Sequence, residues 1–199
     1  MNIFLLTLAL CVNHFISTLT IDVYYESLCP GCSKFISQNF KNYLDKNKLN
    51  TTIINFIPAG FSNETYNSSS KRYEFKCHHG PNECYGNIVS ACFIDILGRV
   101  NSYKYLVCLE TIASRLQGNF TKAIDMCTRD SPQLKELVNE CANGEQGNKL
   151  IHFNIQRTKT DKMEYVPYIT VDGVFSEKVG DSILKNLYEY LCSKDKNVC

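Results

Sequence analysis

The 199-residue sequence predicts an α/β protein: a small sheet built as strand–helix–strand and later strand–strand–helix, with a cysteine-rich helical insertion between the halves. Three observations predict it. Two β-branched and aromatic runs flank an amphipathic helix near the start. A tight hairpin signal followed by a helix closes the chain. Between about residues 61 and 144 the apolar spacing is helical, with Cys77, Cys84, Cys92, Cys108, Cys127 and Cys141 threaded through it.

The first strand is Ile21-Asp22-Val23-Tyr24-Tyr25-Glu26, rich in residues that fit a pleated, half-buried surface. Ser27 to Gly31 turns the chain into a helix whose apolar positions Cys32, Phe35, Ile36, Phe40, Tyr43 and Leu44 recur every three or four residues. Thr51 to Ile57 is a second strand, stopped by Pro58. The intervening length suits a parallel crossover. In the insertion, Ile88, Val89, Cys92, Phe93, Ile96 and Leu97 form one stripe ended by Gly98, and Tyr105 to Leu116 carry another ended near Gly118. Ser131-Pro132 reads as an N-cap followed by proline in the first turn, opening a helix that runs to Asn143-Gly144. Tyr168–Val171 and Val174–Glu177 flank Asp172-Gly173, a strong two-residue hairpin signal. Asp181 is then expected to cap a last helix bearing Ile183, Leu184, Leu187, Tyr188 and Leu191.

Composition narrows the compartment and the partners. Apolar residues make up 44% and charged residues 21%, enough for a buried core, and the net charge is only +1. No basic stripe is present to attract phosphates, so a nucleic-acid partner is not expected. After residue 20 no apolar run approaches the ~20 residues that cross a bilayer, so no integral membrane segment is expected. The apolar run Ile3–Val12, followed by small residues at Ser17, Thr18 and Thr20, reads as a secretory signal over residues 1–20 that leaves 21–199 as one domain. Its removal takes Cys11 and leaves ten of the eleven cysteines, an even number suited to an oxidising compartment. Sequons at Asn50, Asn63, Asn67 and Asn119 agree with the secretory pathway and are expected glycosylation sites.

Cys29-Pro30-Gly31-Cys32 lies between a strand and the first turn of a helix. Unpaired backbone N–H groups and the positive end of the helix dipole stabilise a thiolate there. Cys29, normally the more exposed of such a pair, is the expected nucleophile, and Cys32, one turn further in, resolves the mixed disulfide. Pro30 has no N–H, so the donors to Cys29 should be Gly31, Cys32 and the Cys32 thiol. At pH 5 an ordinary thiol of pKa ~8.5 is ionised about three times in ten thousand. Reaching a pKa of ~5 needs nearly 5 kcal/mol, which a helix dipole (~2) and charge-assisted hydrogen bonds (roughly 1.5–3 each) together supply. Half a zinc site and an inert short-range disulfide are the competing readings of the pair, but no second close cysteine pair exists to complete a zinc site. Val166-Pro167 precedes the last hairpin, where a redox domain of this order packs a cis-proline beside its cysteines and offers a backbone edge to substrate.

The segment Cys77-His78-His79-Gly80-Pro81-Asn82-Glu83-Cys84-Tyr85-Gly86-Asn87, continuing to Cys92, makes a specific resemblance. It is similar to the signature Cys-Gln-His-Gly-x2-Glu-Cys-x2-Asn-x4-Cys of the gamma-interferon-inducible lysosomal thiol reductase family, with His78 in place of Gln. The signal segment, the dithiol after the first strand, the cysteine-rich middle and Tyr165-Val166-Pro167-Tyr168-Ile169-Thr170-Val171-Asp172-Gly173 resemble the family as well. The resemblance implies a thioredoxin-like fold and reduction of protein disulfides in acidic compartments or after secretion. Without the family, Cys77, His78, His79, Cys84 and Cys92 are also a conceivable ligand set. Their spacings are not those of ordinary zinc sites, so no metal is expected and the cysteines read as staples. Cys108, Cys127, Cys141, Cys192 and Cys199 complete the structural set; eight cysteines allow 105 pairings, and none is preferred beyond an intramolecular bond for Cys199, to Cys192 or the insertion.

The sequence therefore reads as a thiol–disulfide oxidoreductase that reduces protein disulfides and needs no cofactor besides its own disulfide and an external small thiol. It would work in lysosomes or outside the cell. An oxidase or isomerase of the secretory pathway uses the same dithiol in the other direction, and a secreted binding protein could keep the scaffold without the chemistry.

Overall fold

A computed structural model describes residues 19–46, 52–160 and 163–199. The expected signal segment, apart from its last two residues, and the Asn50 sequon asparagine lie outside the described residues. Strand β1 (Leu19–Tyr25) runs parallel to β2 (Thr52–Pro58) and antiparallel to β5 (Tyr168–Val171), which pairs with the short β6 (Val174–Phe175), giving the order β2-β1-β5-β6. Val23 sits opposite both Phe56 and Ile169, so β1 is the spine of the sheet. Alternation sends Ile21, Val23 and Tyr25 to one face, where they join the main core; Tyr24 faces the other way with Ile57 and Tyr168. Asp172 (φ 50°) and Gly173 (φ 77°) make the expected hairpin turn.

The crossover from β1 to β2 is one helical run in three parts. Helix α1 (Pro30–Lys34) passes into a π-helical turn over Phe35–Phe40 and then α2 (Lys41–Asp45). Phe35, Ile36, Phe40 and Tyr43 are buried from it, and Phe40 meets Phe56 and Tyr103 edge-on with ring centres 4.8 and 5.0 Å apart.

The insertion departs from the expected wholly helical segment at both ends. It opens with an antiparallel hairpin, β3 (Asn63–Asn67) and β4 (Arg72–Lys76). Asn67 Oδ1 accepts from the backbone N–H of Ser69 and Ser70, and Lys71 takes φ 53°, so the polar stretch turns tightly instead of coiling. Helices α3 (Pro81–Leu97), α4 (Arg99–Arg115) and α6 (Pro132–Asn143) follow as expected, and a short helix that no named stripe marked, α5 (Phe120–Cys127), lies between the last two. A further helix, α7 (Glu145–Thr160), extends the insertion past Gly144. Its buried apolar stripe is thin (Ile151 and Ile155), and Asn148 holds the hairpin by accepting from Tyr73 N and donating to Tyr73 O. The insertion has its own core, with Phe93, Leu109, Phe120, Ile124 and Val138 buried together.

The last helical segment is split. Helix α8 (Glu177–Lys185) begins after Ser176, which corrects Asp181 from a cap to a mid-helix position, and α9 (Leu187–Lys194) follows Asn186. The Asn39 side chain spans the break, donating to Ile183 O and Leu184 O and accepting from Leu187 N. Among the described residues no helix is long and apolar enough to cross a membrane.

Candidate active site

Cys29 is the N-cap of α1, and Pro30 opens the helix. This follows from chemistry at each position: a proline loses nothing in the first turn, and a small polarisable side chain before it turns back over the free N–H groups. Cys29 Sγ accepts from Cys32 N at 3.4 Å. Cys32, one turn on, is wholly buried, and Cys29 is 9% exposed, so the expected ranking of exposure holds but Cys29 only just reaches solvent. Both are free thiols.

The Cys29 thiol is lowered from its ordinary 9.0 to about 6, first by a hydrogen bond from the Cys32 thiol, then by the backbone N–H groups of Cys32 and Gly31. These are the three donors that the missing N–H of Pro30 leaves. Partial burial and the carboxyl of Glu26 push the other way, which is why the value stops above the ~5 expected from donors and dipole alone. At pH 5 about one Cys29 in ten is ionised, against about one in ten thousand for an unshifted thiol. Cys32 is pushed well above its ordinary value, first by burial and then by its partner sulfur, so the two thiols separate into a more acidic one and a proton-bearing donor.

The Val166–Pro167 bond is cis. Val166 O lies 3.8 Å from Cys29 Sγ, within reach of its thiol hydrogen. A Cβ on Gly31 would stand 3.6 Å from Pro167 Cδ, so the dithiol turn and the proline loop lie in near contact. Beside them a groove of about 630 Å³ is lined by Gly31, Lys34, Phe35, Asn39, Pro167 and Lys185.

Two site residues have no signal in the sequence. Glu110 on α4 is 1% exposed and neither carboxyl oxygen has a hydrogen-bond partner. Burial pushes its carboxyl well above the usual range, with a further rise from Cys29, and its charge in turn raises Cys32. Ser33 Oγ donates to the Glu110 backbone oxygen at 3.2 Å, fixing α4 against α1. Glu26, just past β1, is wholly buried, accepts from Phe61 N at 2.8 Å through Oε1, and takes the Cys29 N–H on its backbone oxygen. Only tertiary packing brings these acids to the cysteines.

All eight remaining described cysteines are paired. Cys77–Cys84 ties the loop before α3 to its first turn, Cys92–Cys141 joins α3 to α6, Cys108–Cys127 joins α4 to α5, and Cys192–Cys199 closes the C-terminus. Of the described sequon asparagines, Asn63 and Asn119 are exposed; Asn67 is half-buried and donates to Glu74 Oε1.

A thioredoxin-like sheet whose first helix starts at two free cysteines three residues apart has the form of a thiol–disulfide oxidoreductase. The comparisons with known proteins carry the assignment further. Residues 20–131 match the family model described as "Gamma interferon inducible lysosomal thiol reductase (GILT)", and the chain belongs to that family. It is 32% identical over 92% of its length to a gamma-interferon-inducible lysosomal thiol reductase of Carassius auratus, covering 71% of that protein. It is 30% identical to GILT-like protein 1 of Drosophila melanogaster over 86% of this chain and 73% of that one. Among solved structures, the oxidoreductase DsbA from Xylella fastidiosa matches with a TM-score of 0.57 over 91% of this chain and 88% of that chain, at 14% identity, a likeness of fold alone.

Proposed function

We propose that this oxidoreductase works as a reductase of protein disulfides through Cys29 and Cys32, in an acidic compartment of the secretory pathway or after secretion. The observation that carries the reading is the convergence of the Cys32 thiol and two backbone N–H groups on Cys29 Sγ, with a pKa of about 6. The Cys29 thiolate attacks one sulfur of the substrate disulfide, forming a mixed disulfide and expelling the other sulfur as a thiolate that takes a proton from solvent. Cys32 then loses its proton and attacks Cys29 Sγ, closing the Cys29–Cys32 disulfide and releasing the second substrate sulfur. Two electrons have passed to the substrate. An external small thiol, oxidised to its own disulfide, restores the dithiol.

The cis Val166–Pro167 edge and the groove with Lys34 and Lys185 are the proposed resting place of the substrate chain. Glu110 lies close enough to raise Cys32 and so favours the protonated resolving thiol until the mixed disulfide has formed. Relatives named lysosomal, four disulfides and the secretory reading of residues 1–20 support the location. The test is reduction of insulin at pH 4.5 and 7. Wild type is expected to reduce insulin at both values, and Cys29→Ser is expected to lose at least 100-fold. Equal turnover in the two proteins would overturn the reading in favour of a binding protein.

A further inference from the structure

The staples absorb the cysteines of the Cys77–Cys92 segment but leave its two imidazoles without a role. His78 and His79 both turn Nδ1 toward Glu26, with Oε2 3.6 Å from His78 Nδ1 and 3.5 Å from His79 Nδ1. All three candidate ligand atoms lie within 4.8 Å of one another. A tetrahedral zinc ion with bonds of about 2.0–2.2 Å spaces its ligand atoms about 3.4 Å apart, so two of the three separations already fit.

A second, independent observation points to a ligand. Glu26 is 0% exposed, and while its Oε1 accepts from Phe61 N, its Oε2 is buried with no hydrogen-bond partner and faces the two rings. A carboxylate oxygen left in that state costs free energy unless something positive meets it. Glu83, also 0% exposed, adds a second buried carboxyl, with Oε2 2.5 Å from His79 Nδ1. Among the described residues neither acid has an ion pair with Lys or Arg. One buried carboxyl oxygen and two imidazole nitrogens are a donor set suited to a divalent cation of the zinc type.

The cluster is also held in place. Cys77–Cys84 closes the loop that bears both histidines, Gly80 N donates to Cys77 O, and His79 N donates to Glu83 Oε1. On the other side, a Cβ at Gly60 would fall 2.0 Å from Glu26 Cγ, so the backbone wraps directly onto the acid. The side chains of His78 and His79 are 64% and 37% exposed, which gives an ion a path from solvent and leaves room for water in its shell.

We propose that Glu26 Oε2, His78 Nδ1 and His79 Nδ1 bind one divalent transition-metal ion of the zinc type, beside the dithiol and separate from it. Binding displaces Glu83 Oε2 from His79 Nδ1, and water completes the shell. His78 stands where the family signature has Gln, so the site belongs to this chain's own departure from that pattern.

The experiment uses protein without a histidine tag and with Cys29→Ser and Cys32→Ser, which removes the dithiol as a competing zinc ligand. Zinc is titrated at pH 7.5 against a chromophoric chelator, and imidazole NMR signals are followed in parallel. One equivalent is expected to bind, with the ring signals of His78 and His79 shifting and those of His152, engaged with Glu64, unmoved. His78→Gln, an exposed change that the fold should accept, is expected to weaken binding at least tenfold; far-UV circular dichroism checks that it folds. No zinc uptake, or uptake unchanged by His78→Gln, would overturn the site.

Discussion

Two helix starts in this protein share a plan and differ in chemistry. Helix α1 opens with Pro30 and has a cysteine at its N-cap; α3 opens with Pro81 after Gly80 and has Cys84 in its first turn. Free N–H groups at a helix N-terminus favour an anion. At α1, which has no acidic residue in its first turn, that anion is the Cys29 thiolate. At α3 the cap is Gly80, with no side-chain capping bond; Glu83 in the first turn accepts from His79 N instead, and Cys84 is spent in a bond to Cys77. Reactivity depends on which group faces the open amides: a sulfur at the cap position receives them, whereas a sulfur four residues past the cap does not.

The largest expected effect separates the two starts directly. Beside the loss of insulin reduction in Cys29→Ser, a Cys77→Ser/Cys84→Ser protein should keep its turnover within a few-fold. It should instead lose about 2–3 kcal/mol of stability, the value for a loop of this length, measured by urea unfolding. A staple variant as inactive as Cys29→Ser would erase the distinction between the two sites.

Next in size is the pH profile of Cys29. Its folded pKa lies below its ordinary value, so the thiolate is present above about pH 6 and is lost as pH falls through 6. Alkylation rate against pH should show a midpoint near 6, and Glu26→Gln, which removes a charge that raises Cys29, should move that midpoint down. By linkage, the reduced fold gains stability between about pH 6 and 9 and loses it in acid.

Glu110 works in the opposite sense and sharpens the same comparison. Burial raises its folded pKa, so the folded protein holds a proton that the unfolded chain has given up, and stability falls as pH rises above the ordinary carboxyl value of 4.5. In a Cys29→Ser background, which silences the thiolate contribution, urea midpoints should therefore be higher at pH 5 than at pH 8. Glu110→Gln should flatten that slope; an unchanged slope would remove Glu110 as its source.

The parts of this site visible in the sequence are those set by neighbours along the chain. Cys29-Pro30-Gly31-Cys32 announces a helix start because proline and a capping side chain act within one turn, and Asp172-Gly173 announces its hairpin for the same local reason. Glu110 lies 77 residues from Ser33, whose hydroxyl meets its backbone, and Glu26 turns inward only because Gly60 and Phe61 fold over it. Nothing in the spacing of either acid distinguishes it from a surface carboxylate. The β3–β4 hairpin escaped because exposed Asn63, Thr65 and Tyr66 leave no apolar alternation to read, and α7 because it buries so few side chains.

The smallest effect tests how closely the dithiol turn must approach the proline loop. Gly31 has no positive φ, so a side chain there carries no backbone penalty. An added methyl would meet Pro167 Cδ at 3.6 Å and Cys29 Sγ at 3.9 Å, ordinary contact distances that require no movement. Gly31→Ala should therefore leave the Cys29 midpoint near 6 and change insulin turnover by less than about threefold, with any loss falling on KM because the methyl narrows the groove rather than the sulfur's own donors. A loss confined to kcat, with the midpoint displaced upward, would mean that the turn itself shifts and that the Gly31 N–H, one of the three donors to Cys29, depends on the bare α-carbon for its aim.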